Sequence, residues 1–363
     1  MREIFRFLVA ARRRYALRGA TGILAFCLLW NGVALAQPND FGDLRGLREY
    51  LGPAIRVQKR HLQRLLAERD IVGAAVGLTA NGEPAIKVFT KSQAIMSVPQ
   101  KLDGFPVEIE MTGEFQSAAR LDRESSSVDA GRARRNSARI FARPVPVGVS
   151  AGNERECSSG TIAARVIDGT GRVYALSNNH VFALENTAPI NSNILQPGLA
   201  NVRCQFMADN VIAKLSRYAE IDFSRTATNT VDAAIAATSS SLLGNATPRN
   251  GFGAPDSETV SAFVGQKVQK YGERTRLTRG QVKAINATVL VEYDSGTARF
   301  TNQIVVGSPE VFIRAGDSGS LLVTRSGAHP VGLLFAGAKG GRTAIANPIN
   351  SVLNALGVSI DGE

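Results

Sequence analysis

The sequence is poor in the side chains that most often bind metals or carry catalysis. Its 363 residues contain three histidines, three cysteines and one tryptophan. We find neither zinc-finger spacing nor the interleaving of aromatic and basic residues that is typical of nucleic-acid binding. These absences argue against a zinc-finger protein, and we expect no nucleic-acid partner.

The clearest apolar run lies at the N-terminus and ends in a cleavage pattern. An arginine-rich start precedes the run TGILAFCLLWNGVALA, which closes on Ala34-Leu35-Ala36. A membrane anchor is the alternative, but the run is short for a span. We therefore interpret residues 1–36 as a signal peptide. Its removal would lower the formal charge from +11 to +6 and leave a mildly basic, secreted or periplasmic protein without a stable membrane span.

A tight turn in the stretch FIRAGDSGSLLV presents a serine between two glycines. Gly316 and Gly319 flank Ser318, and Asp317 precedes it. Glycines at such a turn allow backbone N–H groups to point at one spot, as an oxyanion hole requires. A serine hydroxyl needs a histidine base to become a good nucleophile, so the histidines decide whether this turn can be catalytic.

Only one of the three histidines has a setting that mirrors the serine turn. His61 lies in the charged helical stretch QKRHLQRLLAER, and His329 lies in the turn TRSGAHPVG. We interpret both as structural or surface residues. His180 ends the apolar run YALSNNH, where a strand can deliver it to a cleft. We therefore predict that His180 is the base.

The acid that orients the base should lie between His180 and Ser318. Asp232 sits inside the apolar run TVDAAIAAT, where an unpaired carboxylate would be costly. Asp222, in AEIDFS, is the alternative in a less apolar setting. We favour Asp232 by its role rather than by a motif.

The segments SNNHV, VDAAIA and GDSGS, in this order, resemble the trypsin/chymotrypsin-like serine peptidases, and above all their bacterial secreted branch. The similarity runs from about residue 145 to 358. It implies a mainly β fold of two antiparallel six-stranded barrels. It also implies a His180–Asp232–Ser318 triad, an oxyanion hole from the N–H groups of Gly316 and Ser318, and no metal or organic cofactor.

The same resemblance suggests where substrate and disulfide would lie. Phe335, Ala336 and Gly337 would form the strand that pairs with substrate backbone, and Phe312 would lie near the floor of the specificity pocket. Phe312 stands where trypsin-like enzymes have an acid, which argues against a simple preference for basic residues. Cys157 and Cys204 bracket His180, as the cysteines of a family disulfide often do; two free buried thiols are the alternative.

Residues 40–115 are predicted to form a small separate α+β unit before the barrels. The stretch LRGLREYLGPAIRVQKRHLQRLLAER has helical periodicity with a break or a new start at Gly52-Pro53, and a hairpin follows around Asn81-Gly82. SQAIMSV is a possible short helix, and GFPVEIEMTGEF is a third strand. The unit could inhibit, assist folding, dock a partner or have no chemistry.

The remaining chain divides into a linker and two barrels. Residues 116–144 are rich in serine, arginine and alanine, which is typical of a solvated linker and of a processing site. Residues 145–245 would form the first barrel, and residues 246–363 the second barrel with a final helix. In digestive members of the resembled family, an Ile-Val-Gly-Gly-like start supplies a freed amine that activates the enzyme. This domain opens without such a start, so Asp317 could instead be satisfied within the domain.

These features together predict a serine endopeptidase that cleaves polypeptides through an acyl-enzyme on Ser318. One alternative is a latent or self-processing protein of the same fold that acts mainly as a binding module. Another is an esterase of the same fold. The sequence leaves the substrate, the oligomeric state and the role of the N-terminal unit open.

Overall fold

The computed structural model describes residues 44–92, 98–117 and 140–362. The signal peptide and most of the linker therefore lie outside the described residues, as does the short helix expected within SQAIMSV. None of the helices in the described ranges is long and apolar enough to cross a lipid bilayer.

The N-terminal segment contains one helix and a hairpin followed by short strands. These are α1 Leu44–Leu66, β1 Ile71–Leu78, β2 Pro84–Thr90, β3 Lys101–Leu102, β4 Phe105–Met111 and β5 Phe115–Ser117. The hairpin turns at Asn81-Gly82, where Gly82 has a φ of 82° that suits glycine. β4 then pairs parallel to β2. The predicted helix, hairpin and third strand are all present.

The helix continues through Gly52-Pro53, so the predicted break there is wrong. Proline inside a helix removes one backbone hydrogen bond and crowds the preceding turn. Burial on both sides of Pro53 outweighs this cost: Leu51 and Ala54 are fully buried and pack with Val76 of β1. The apolar face of α1 thus holds the helix together where its sequence favours a break.

The first sheet after the N-terminal segment contains eight strands. They are β6 Ser150–Asn153, β7 Gly160–Thr161, β8 Ala164–Asp168, β9 Val173–Ser177, β10 Asn193–Leu195, β11 Val211–Tyr218, β12 Ala234–Ala237 and β19 Val358–Ile360. Their order is β19-β8-β9-β12-β11-β10-β6-β7. A four-residue helix, α2 Asn179–Phe182, follows β9. The last strand, β19, comes from the C-terminus, which we had assigned to the second barrel.

The second sheet closes on itself as a six-stranded antiparallel barrel. Its strands are β13 Lys267–Gly272, β14 Arg276–Glu292, β15 Thr297–Gly307, β16 Leu321–Thr324, β17 Pro330–Ala338 and β18 Thr343–Pro348. The ring runs β13-β16-β17-β18-β15-β14 and closes through β13 and β14. The final helix, α3 Ile349–Leu356, ends at Gly357 in the left-handed conformation. The protein therefore has the mainly β, chymotrypsin-like architecture that the resemblance implies. The first sheet has eight strands instead of the predicted six, because β19 and the short β7 extend its two ends.

The N-terminal segment is not separate from the second barrel, in contrast to our prediction. β1 pairs antiparallel with β14, and β5 lies between β14 and β17. The reason is burial: seven of the eight residues of β1 are buried, so this strand needs partners along both edges. The linker also begins later than predicted, because Gln116 and Ser117 belong to β5.

Candidate active site

The strand register of the first sheet brings His180 and Asp232 together. β9 and β12 are antiparallel, with Ser177 opposite Ala234. His180 lies three residues after Ser177, and Asp232 lies two residues before Ala234, so the two chains continue side by side. The Asn178 side chain also donates a hydrogen bond of 2.8 Å to the Asp232 carbonyl oxygen. The strand register and this hydrogen bond thus fix the backbone positions from which the side chains of His180 and Asp232 extend.

Ser318 meets this pair from the loop between β15 and β16. Its Oγ lies 2.7 Å from His180 Nε2, and His180 Nδ1 lies 2.5 Å from Asp232 Oδ2. The three side chains form one continuous hydrogen-bond chain. Such a chain can move a proton from the serine to the imidazole while the carboxylate holds the ring.

Asp232 is fully buried, and each of its carboxylate oxygens accepts hydrogen bonds that compensate for the loss of water. Its Oδ1 accepts the His180 backbone N–H at 3.2 Å, and its Oδ2 also accepts the Tyr293 hydroxyl at 2.9 Å. The backbone N–H of Asp232 donates to Asn347 Oδ1 at 3.0 Å. Asp222, the alternative acid, instead accepts the Ser224 backbone N–H at 2.8 Å. Only Asp232 reaches the histidine.

Two opposing effects act on the imidazole of His180. Burial pushes the pKa of His180 down, but the charge and hydrogen bond of Asp232 outweigh burial and leave the pKa above its usual value. Burial and the neighbouring Asp232 charge raise the pKa of Tyr293 well above its usual value, so this phenol stays protonated as a donor. Asp232 thus makes His180 a stronger proton acceptor than burial alone would allow.

Two glycines with positive φ angles flank Ser318 in the loop that carries it. Gly316 has a φ of 96°, and Gly319 has a φ of 87°. A Cβ on Gly319 would lie 2.2 Å from the Thr161 carbonyl oxygen, so only glycine fits there. Within the described ranges, the N–H groups of Gly316 and Ser318 donate to no protein acceptor. Two donors therefore stay available beside the serine hydroxyl.

In the described part of the chain, the side chain of Asp317 has all its hydrogen-bond and ion-pair partners between residues 270 and 314. It accepts backbone N–H groups from Arg274, Thr275 and Arg314 at 2.9–3.1 Å and the Thr275 hydroxyl at 2.6 Å. Lys270 Nζ lies 3.2 Å from Asp317 Oδ2, and both side chains are fully buried. Burial lowers the pKa of Lys270, and the Asp317 charge opposes this shift. A buried lysine thus supplies the positive charge that this aspartate needs.

Of the four residues expected to contact substrate, three lie on β17 and Phe312 lies in the loop between β15 and β16. Phe335 is fully buried and its ring packs on Phe300, with 4.8 Å between centroids. Ala336 and Gly337 pair with β18 on one side and with β5 on the other. Phe312 is fully buried in an apolar cluster with Val282 and Val306. Its place near a pocket floor stays a prediction.

Cys157 and Cys204 are joined in a disulfide, with 5.2 Å between their Cα atoms. The bridge closes a loop of the first sheet that contains His180. The other histidines lie elsewhere: His61 Nε2 is 3.1 Å from Asp103 Oδ2, and His329 Nδ1 is 3.2 Å from the Glu258 carbonyl oxygen. Among the described residues, no group of three His, Cys, Asp or Glu side chains is arranged to hold a metal ion.

Three features of the site were not predicted from the sequence. Tyr293 and Lys270 each contact a buried aspartate, and β5 lies along β17. Tyr293 and Lys270 occur in strand-like runs, where alternating aromatic and basic residues are expected on a surface. No local signal separates them from surface residues, because their partners lie 61 and 47 positions away in the sequence.

Comparison with known proteins finds similarity only among solved structures. No protein-family model matches the chain, and no curated protein matches it. The solved structures that resemble it are trypsin/chymotrypsin-like serine proteases.

Three of these structures illustrate the level of similarity. A glutamic acid specific serine protease is 23% identical, covers 60% of this chain and 100% of its own, and has a TM-score of 0.43. A Nocardiopsis protease is 17% identical over 60% of this chain and 99% of its own, with a TM-score of 0.44. Thermobifida fusca protease A is 16% identical over 60% of this chain and 100% of its own, with a TM-score of 0.43. What this chain does must therefore be argued from its own residues.

Proposed function

We propose that this protein is a serine endopeptidase that acts through an acyl-enzyme on Ser318. The observation that carries the proposal is the continuous hydrogen-bond chain from Ser318 Oγ through His180 to Asp232, with distances of 2.7 and 2.5 Å. Three side chains from three separate segments would rarely form such a chain without a functional reason.

The reaction follows from this geometry. Ser318 Oγ attacks the carbonyl carbon of the scissile bond as His180 Nε2 takes the hydroxyl proton. The resulting oxyanion accepts hydrogen bonds from the N–H groups of Gly316 and Ser318. The intermediate collapses when the C–N bond breaks and His180 returns the proton to the departing amine. Water then adds to the acyl-enzyme by the same proton transfers and releases the acid.

We infer that the protein works outside the cytoplasm. The disulfide between Cys157 and Cys204 supports an oxidising compartment. The arginine-rich start and the Ala34-Leu35-Ala36 pattern of the sequence support export by a signal peptide. Polypeptides are the proposed substrates.

Intact-mass analysis after treatment with a fluorophosphonate probe tests the proposal. We expect one adduct on the wild-type protein and none on Ser318→Ala, because the probe needs an activated serine. Ser320→Ala is the matched control and should still be labelled. Equal labelling of wild type and Ser318→Ala would overturn the assignment. Labelling of wild type but not of Ser318→Ala, together with hydrolysis of esters and not of peptides, would favour the esterase.

A further inference from the structure

The strand β17 has one edge next to the candidate active site, and the chain itself occupies that edge. Ser117, Gln116 and Phe115 of β5 pair antiparallel with Ala336, Gly337 and Ala338 in that order. On its other side, this part of β17 pairs with β18. The backbone of Ala336 and Gly337 therefore has β-strand neighbours along both edges.

The occupied edge begins directly beside the nucleophile. The Gly319 N–H donates to the Leu334 carbonyl oxygen at 2.9 Å, and the Leu334 N–H donates to the Ser320 carbonyl oxygen at 3.0 Å. A peptide with its scissile bond at Ser318 would run from there along Phe335 to Gly337. Extended peptides bind by adding a strand to such a sheet edge. β5 has the same extended form and lies in that place.

Resting on the proposed function, we propose that β5 is an internal occupant of the substrate-binding edge and makes the full chain latent toward polypeptides. A short ester needs only to reach Ser318, whereas a polypeptide must also pair with Ala336 and Gly337, whose edge β5 already fills. A substrate must therefore displace β5 from Ala336 and Gly337 before its backbone can pair.

One side chain anchors this strand. Phe115 is fully buried and its ring packs edge-on against Phe89, with 5.5 Å between centroids. It belongs to the same apolar cluster as Phe335 and Ala336. β5 is only three residues long, and Gly113 with a φ of 72° lies just before it. The occupancy of the edge therefore depends strongly on Phe115.

The test compares short and extended substrates on the full-length protein. The short substrates are N-acetyl amino acid esters, which need to bind only in the pocket beside Ser318. The extended substrates are tetrapeptides, in which three more residues precede the same amino acid and must pair with the β17 edge. We expect Phe115→Ala to raise tetrapeptide kcat/KM by about tenfold or more, because apparent affinity rises with the fraction of protein whose edge is free. Ester hydrolysis should change little.

Leu51→Ala is the matched control, because Leu51 is fully buried in the N-terminal segment and belongs to a different apolar cluster. It should lower stability without changing the ratio of tetrapeptide to ester hydrolysis. If esters are cleaved and this ratio is the same in wild type, Phe115→Ala and Leu51→Ala, β5 does not occupy the substrate's place. If no variant reacts with esters, tetrapeptides or the fluorophosphonate, the proposed function itself fails and the latency proposal with it.

Discussion

Two buried aspartates lie on either side of Ser318 and are stabilised in different ways. Asp232, just before β12 of the first sheet, contacts His180, which can exchange a proton, and accepts a hydrogen bond from the Tyr293 hydroxyl. Asp317, from the second barrel, contacts Lys270 and three backbone N–H groups. Both aspartates are fully buried, and removing either from water requires compensation.

The difference shows how one fold can separate chemistry from support. A histidine partner can accept and release a proton near neutral pH, so the Asp232 centre is suited to proton transfer. The Asp317 centre consists of an ion pair and backbone hydrogen bonds, so it is suited to holding the Gly316–Ser318 backbone in place. The predictions below disturb each centre in turn.

The largest expected effect is on the proton-transfer centre. We expect Asp232→Asn to slow fluorophosphonate labelling of Ser318 on the order of 10³–10⁴-fold, because an amide favours the wrong histidine tautomer. Asp222→Asn is the control and should label at the wild-type rate. Similar losses in both variants would mean that Asp232 has no special role.

Removing the lysine of the second centre should mainly affect stability. Lys270→Met leaves the Asp317 carboxylate buried without its cation, and we expect the free energy of unfolding to fall by about 3–5 kcal/mol. Urea unfolding measures the loss. Lys267→Met changes an exposed lysine of the same strand and should cost under about 1 kcal/mol. Adding Asp317→Asn to Lys270→Met should recover part of the loss, and no recovery would argue against the pairing.

Glu273 is a third buried acid near this loop, and neutral side chains donate hydrogen bonds to one of its oxygens. Its Oε1 accepts Asn201 Nδ2 at 2.6 Å and the Ser159 hydroxyl at 3.3 Å. Burial raises the pKa of Glu273 from 4.5 to about 7, and the two hydrogen bonds only partly oppose this shift. The folded protein thus holds this proton at pH values where the unfolded chain has released it.

The part of the folding stability that depends on the Glu273 proton should therefore be fully present below pH 4.5. It should decline as the pH rises to about 7. We expect Glu273→Gln to remove this decline, which is at most about 1.4 kcal/mol for each pH unit. Urea unfolding of both proteins between pH 4.5 and 8 provides the measurement. A wild-type–variant difference that does not change with pH would contradict the assignment.

The smallest expected effect concerns the phenol on Asp232. Tyr293→Phe removes a hydrogen bond to a charged group, and we expect a loss of about 1.5 kcal/mol in unfolding free energy. Asp232 would then interact more strongly with His180, so the pKa of His180 should rise. The acid limb of the pH–rate profile for ester hydrolysis should shift to higher pH.

Tyr174→Phe is the matched control, because the Tyr174 hydroxyl donates to Asp168 at 2.8 Å, away from the triad. It should leave the pH–rate profile in place. If Tyr293→Phe also leaves the profile unchanged, Tyr293 supports the fold and does not position Asp232.

Local signals accounted for much of the fold and for the choice of site residues. The Asn81-Gly82 pair predicted a hairpin, and alternating or apolar runs predicted the strands that carry His180 and Ser318. The failures occurred where packing opposed the local signal. Pro53 predicted a break, but burial of Leu51 and Ala54 keeps the helix continuous.

The sequence by itself determined the mainly β class, the chymotrypsin-like architecture and the three side chains that the structure brings together. These depend on turn residues, apolar periodicity and residue order, which are local properties of the chain. Only the tertiary structure decided that Tyr293 contacts Asp232, that Lys270 compensates Asp317 and that β5 lies along β17. Each of these contacts joins segments far apart in sequence, and strand register and burial bring them together rather than any local pattern.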